Sequence, residues 1–192
     1  MNTPEDVACF NPNNENNLFD DYIQFCCEDI ANNNVMVIMR VYDLPPVPGP
    51  VSDIYLQGHF NDCMVQVEVQ DKFPPQITCP SNLTISCEFP FTAGNLDVFG
   101  SIAFTEEDRE QICIDDPGAP GPAGPDCIGL DGLATDNCQV EIEEADPVID
   151  IGNCGTGTIT RTFVATDAGG LQATCQQVIT VINYDLFDEN DI

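Results

Sequence analysis

The chain has no tryptophan, a single histidine (His59) and only four basic residues against 33 acidic ones. Each scarcity excludes something. Phosphate binding needs clustered Lys and Arg, and a net charge of −29 repels nucleic acid and anionic membrane alike. Without Trp the Cys–Trp–Cys core of antibody domains cannot form, and with four tyrosines there is little aromatic surface for stacking sugar rings. The lone His59 reads as a surface or packing residue, not a general base. GxSxG, HExxH, P-loop and GxGxxG patterns are all missing. Carboxylate pairs such as Glu106–Glu107, Asp115–Asp116 and Glu143–Glu144 mean little in so acidic a chain and read as solvated faces. No apolar run approaches the roughly 18 residues of a membrane span. The opening MNTPEDVACF has neither the basic head nor the apolar core of a signal peptide, so a mature piece or an excised segment is expected. The expectations are therefore no enzyme, no catalytic residue, no required cofactor, no nucleic-acid partner and no membrane insertion.

Cysteine is plentiful. Eleven are present: Cys9, Cys26, Cys27, Cys63, Cys79, Cys87, Cys113, Cys127, Cys138, Cys154 and Cys175. That density points to an oxidising, extracellular setting, and the absence of any CxxC pair favours disulfides over zinc. Pairing is not legible from sequence alone. Loop closure ranks Cys113–Cys127 first and Cys138–Cys154 second, while Cys79, Cys87 and Cys175 compete for one bond. Adjacent Cys26 and Cys27 need different partners, for which Cys9 and Cys63 are the candidates. An odd count leaves at least one thiol free or bonded outside this chain.

The stretch 155–183 (GTGTITRTFVATDAGGLQATCQQVITVIN) organises the rest. Two strands rich in Thr, Val, Ile and Phe flank Asp167-Ala-Gly-Gly170, which is turn chemistry. A similar unit occurs earlier: a strand 35–42 ending before Asp43, and a second strand around 63–71 in which Val65, Val67 and Val69 alternate with polar residues. Cys63 to Asp71 spans eight positions, as does Cys175 to Asn183. The same hairpin is present twice, which signals tandem repeats. Further short strands are expected at 22–27, 77–79, 83–87, 96–105 and 139–143, with Glu28 to Asn34 a turn and no helix beyond a single turn. This is an all-β pattern of sandwiches.

The segments DKFPPQITCPSNLTISC (71–87), ATDNC (134–138), GNCGTGTITRTFVATD (152–167) and ATCQQVITV (173–181) resemble hyalin-repeat (HYR-like) immunoglobulin-type modules. They are most similar to the arrays in giant secreted surface and filament proteins of Bacteroidota. The resemblance implies tandem immunoglobulin-like β-sandwiches, one complete and one partial, exported to the cell surface. The chain then divides into a loop or linker at 1–21, the back half of a module at 22–71, and a whole module at 72–183 with an insertion at 106–126. An acidic linker follows at 184–192. Asp71-Lys-Phe-Pro-Pro75 is a stiffened hinge. The insertion, ending in PGAPGPAGPD, reads as a polyproline-like loop, since so few triplets cannot make a collagen helix.

Calcium takes oxygen ligands from acidic loops. Asp136, Asn137, Asp167, Asp43 and Asp71 are the candidates. The same residues also serve as turn caps, and both readings stay open. Asn82-Leu-Thr is an N-glycosylation sequon. The function expected is a structural or adhesive repeat segment, an acidic, disulfide-stapled rod. Its partners would be neighbouring modules or identical subunits, by strand complementation of 22–70. The alternative is a carbohydrate-binding or accessory module of a secreted hydrolase.

Overall fold

A computed structural model describes residues 23, 25–31, 35–43, 59–120, 125–152 and 155–184. The chain divides into two compact units, Met1–Asp71 and Lys72–Ile192, and the described residues are nearly all β.

In unit 1, a one-turn helix α1 (Cys27–Ala31) occupies part of the segment expected as strand and turn. The reason is local. The Asp29 carboxylate accepts the Cys26 N–H at 2.9 Å, while the Asp29 N–H donates to the Cys26 carbonyl. A side chain reaching back to an otherwise orphaned N–H starts a helical turn, and Glu28 and Asp29 place negative charge in that first turn. Then β1 (Val35–Tyr42) pairs antiparallel with β2 (Phe60–Val67), with Val35 opposite Val67 and Tyr42 opposite Phe60. The second strand begins at Phe60, three residues earlier than Cys63, where the sequence pattern suggested it, and it ends at Val67, so 68–71 are not part of the strand.

Unit 2 contains β3 (Gln76–Thr78), β4 (Leu83–Ser86), β5 (Ile102–Ala103), β6 (Gln111–Ile114), β7 (Asp126–Leu130), β8 (Gly132–Thr135), β9 (Val140–Glu144), β10 (Val148–Ile151), β11 (Gly157–Asp167) and β12 (Gln172–Ile182). The main sheet runs β10-β11-β12-β4, with β9 on the other half of β11. A second sheet runs β3-β8-β5, and β6 pairs with β7. The long β11 alternates strictly. Ile159, Arg161, Phe163, Ala165 and Asp167 are buried, and the residues between them are half-exposed. The hairpin closes where Gly170, at φ 82°, donates its N–H to the Asp167 carbonyl. Only one of the two glycines in that turn adopts the left-handed conformation that glycine tolerates. The core is formed by Leu83, Ile85, Phe99, Ile112, Ile114, Ile159, Ile179 and Val181, with Phe89 and Leu96.

Two expectations need correction here. Segment 96–105 is not one strand: a 3₁₀ turn (Asp97–Phe99) buries Phe99, Gly100 turns at φ 103°, and only Ile102–Ala103 pairs. Glycine is required there, because a Cβ would stand 2.6 Å from Ile112 Cδ1. Nor is 106–126 simply a surface loop. Its strand β6 sends Ile112 and Ile114 into the core. Asp116 ties the loop down by accepting the Ser86 N–H at 2.7 Å and the Ser86 hydroxyl. Alternation of Ile112 and Ile114 decides this, since burying both is worth more than leaving a proline-rich neighbour solvated.

Candidate functional site

The disulfides are the first chemistry the fold assembles. Cys79, just after β3, joins Cys175 in β12 across 96 residues of sequence. Cys113 joins Cys127 across β6 and β7, at directly opposed positions. Cys26, Cys27 and Cys138 are also disulfide-bonded. Cys87 and Cys63, both candidates for pairing, are instead free thiols, Cys87 half-buried and Cys63 exposed. The reason for Cys87 is geometric: Cys175 lies on β12 within reach of Cys79, with Cα atoms 5.6 Å apart, which suits a disulfide. Cys9 and Cys154 lie outside the described residues.

The acidic candidates are engaged in turns. Asp43 closes the β1–β2 ribbon. Its carboxylate accepts the His59 N–H at 2.9 Å, its second oxygen lies 3.1 Å from His59 Nδ1, and its own N–H donates to the His59 carbonyl. The His59 side chain is fully exposed beside a shallow depression of about 290 Å³ lined by Val41, Asp43, His59, Phe60 and Asn61. The Asp136 carboxylate caps its own loop by accepting the Cys138 N–H at 2.9 Å, and Asn137 is an exposed neighbour whose amide reaches Cys138 Sγ. Asp167 accepts the Leu171 N–H at 2.8 Å through Oδ1, while its Oδ2 is buried and has no hydrogen-bond partner. Asp71 is half-buried at the last position of unit 1. Asn82 is exposed and its Oδ1 accepts the Val178 N–H at 2.7 Å, so the sequon asparagine also acts as a strand-edge cap.

Sequence reasoning missed the buried polar network. Arg161 is 1% exposed and Gln177 0%. The Arg161 guanidinium donates to Gln177 Oε1 at 3.0 Å and to the Gly100 carbonyl at 2.8 Å. The Gln177 amide donates onward to the Ser81 and Phe99 carbonyls at 2.8 and 2.7 Å. The network locks two loops onto β11 and β12 and satisfies carbonyls that burial would otherwise orphan. Its signal was visible. Period-two alternation puts Arg161, one of four basic residues, on the face of Ile159 and Phe163.

In unit 1 the described apolar side chains are conspicuously uncovered. Met36, Ile38, Met39, Val41, Phe60, Met64 and Val65 are all exposed, and Val67 and Val69 are half-buried. Arg40 forms a bidentate pair with Asp62, at 2.6 and 2.7 Å, and stacks over the Phe60 ring. Hydrogen bonds from that guanidinium hold the Asp62 carboxyl below its ordinary value, against a desolvation effect that raises it.

No protein-family model matches the chain, and neither a curated protein nor a solved structure does. Among the described residues no helix is long and apolar enough to cross a membrane.

Proposed function

We propose that the chain is a structural and adhesive segment of an extracellular surface or filament protein, a disulfide-stapled acidic β-sandwich that bears tension along its length. The Cys79–Cys175 bond carries this reading. Unit 2 begins at Lys72 and its last strand ends at Ile182. Each half of the bond is therefore seven residues from an end (79 − 72 and 182 − 175). A pull on the two ends passes through the sulfurs, and the residues between stay out of the load path. With a separation of 96 and about 3.4 Å per extended residue, the bond withholds roughly 300 Å of chain. Behind it stands a second restraint. β4 and β12 pair in parallel, from Leu83–Ile179 to Ser86–Ile182. Pulling early and late parallel strands from opposite ends shears their hydrogen bonds together instead of peeling them singly.

Seven cysteines in disulfides fit an oxidising, extracellular setting. The resemblance to hyalin-repeat modules of Bacteroidota surface proteins supports the same reading and adds repetition of the module. Strand complementation of 22–70 by a neighbouring module or subunit belongs to it, because a two-stranded ribbon is at best marginal alone in water.

Single-molecule stretching of the end-tethered chain tests the proposal. The oxidised chain should lack roughly 300 Å of extension that appears after reduction. Unit 2 should also hold at forces that unfold Cys79→Ser. A full-length step from the oxidised chain would overturn the load-bearing reading, and specific binding on a glycan array would favour the carbohydrate-binding alternative.

A further inference from the structure

We infer that the Lys72–Phe73 peptide bond is a processing site, at which an endoprotease selective for basic residues releases unit 2 from the chain before it. The inference rests on the load-bearing reading above and adds the point at which that load can be let go.

The sequence offers such a protease four places to cut: Arg40, Lys72, Arg109 and Arg161. A specificity pocket with a carboxylate at its base takes only an arginine or lysine side chain that can leave its own surroundings. Arg161 is 1% exposed and bound to Glu144. Arg40 lies inside β1, paired with Asp62 and stacked over Phe60. Arg109 is half-buried and donates to the Asp131 carbonyl and to Glu106, both at 3.0 Å. Lys72 differs from all three. It is exposed, as are Phe73 and Pro74 after it. Among the described residues it is the one basic side chain without an ion pair.

Backbone accessibility agrees. A protease holds its substrate as an extended strand, so a bond already in a sheet must first be opened. Residues 68–75 belong to neither strand nor helix. They join β2, which ends at Val67, to β3, which begins at Gln76. Pro74 and Pro75 have no N–H to give to a ladder, which keeps this stretch from pairing. Charge favours the encounter too. A net charge of −29 draws a basic enzyme at long range, and Lys72 then presents the one accessible positive side chain to its pocket.

The long disulfide decides what a cut achieves. Arg109 and Arg161 lie between Cys79 and Cys175, so a break after either leaves its two pieces joined through the sulfurs. Lys72 lies outside both mapped disulfide loops, seven residues before Cys79 (79 − 72). A pull on unit 2 from its first residue must cross this bond to reach the sulfurs. Hydrolysis consumes one water. The C–N bond between Lys72 and Phe73 breaks, the Lys72 carbonyl carbon takes the hydroxyl, and the Phe73 nitrogen takes the proton.

The test treats the oxidised full chain, without denaturant, with trypsin or with a lysine-specific endoprotease. The first cut by either enzyme should fall after Lys72, at least about 100-fold faster than at any arginine, because a closed site is cut only in its opened fraction. A non-reducing gel should show two separated pieces, one of which begins at Phe73 by N-terminal sequencing. A later cut after Arg109 should leave its pieces joined until reductant opens Cys79–Cys175. Lys72→Gln should abolish the early cut by both enzymes, and Lys72→Arg should keep it for trypsin alone. The site sequenced from the wild-type chain gives its answer independently of any variant's folding. A first cut after Arg40, Arg109 or Arg161 would overturn the inference, as would an uncut chain or pieces that stay joined without reductant. An oxidised chain that withholds its extension under force keeps the load-bearing reading even if Lys72 is not cut. A clean cut at Lys72 with a full-length stretching step would remove that reading and leave the processing site.

Discussion

The guanidinium of Arg161 lies against the carboxylate of Glu144, Nε 2.7 Å from Oε1 and Nη2 2.9 Å from Oε2, joining β11 to β9 beneath the sheet. Arg161 is the buried partner, whereas the Glu144 side chain is about a third exposed. The two ends of the pair are therefore unequal. Removing the arginine leaves Gln177 Oε1 and the Gly100 carbonyl without their donor. Arg161→Met should cost about 3 kcal/mol, the range for breaking a buried ion pair from one side. Glu144→Gln should cost nearer 1 kcal/mol, because solvent compensates an exposed carboxylate. Urea titration with matched m-values measures both, and equal costs would mean that the network matters less than the pair.

The two mapped disulfides should differ in worth. On loop-closure entropy, a bond spanning 96 positions restrains the unfolded chain by about 4–5 kcal/mol, and one spanning 14 by about 3 kcal/mol. Cys79→Ser should therefore lower stability more than Cys113→Ser in non-reducing denaturation. The reverse order would place the weight on the β6–β7 hairpin.

Calcium is proposed at the acidic turns on one specific ground: Asp167 is 6% exposed, yet its Oδ2 has no partner. A cation would satisfy that oxygen. Millimolar calcium should then stabilise the chain relative to chelator, by about 2.7 kcal/mol at a hundred times Kd, seen as a higher melting temperature, and Asp167→Ala should abolish the difference. Superimposable melting curves for the wild-type chain would remove calcium from the reading and leave Asp167 as a turn cap.

Asp62 supplies a pH dependence confined to unit 1. Hydrogen bonds from Arg40 favour the ionised carboxylate and lower its pKa from 3.8, with desolvation opposing and the Arg40 charge assisting. As pH falls, the unfolded chain takes up this proton before the folded one does. The contribution is thus complete above the unfolded value of 3.8 and disappears as pH drops through the lower folded value. NMR titration of the Asp62 carboxyl should show a midpoint below 3.8 that returns towards it in Arg40→Gln. An unchanged midpoint in that variant would show that the pair does not form in solution.

Alternation along 158–166 and 174–182, with Asp167 and two glycines between, was enough to specify the hairpin from sequence. Strand period, β-branched composition and turn chemistry are local, so they are legible one residue after another. The all-β class followed from the same local patterns, and the presence of disulfides from the cysteine count. Tertiary structure decided what depends on residues far apart in the chain. It chose Cys79 over Cys87 as the partner of Cys175, because bonding needs Cα atoms within a few ångströms whatever the spacing. It drew Ile112 and Ile114 from an apparent surface insertion into the core. And it buried Arg161, a residue whose polarity argued for the surface, because Glu144, Gln177 and two loop carbonyls converge on it only once the sheets are packed.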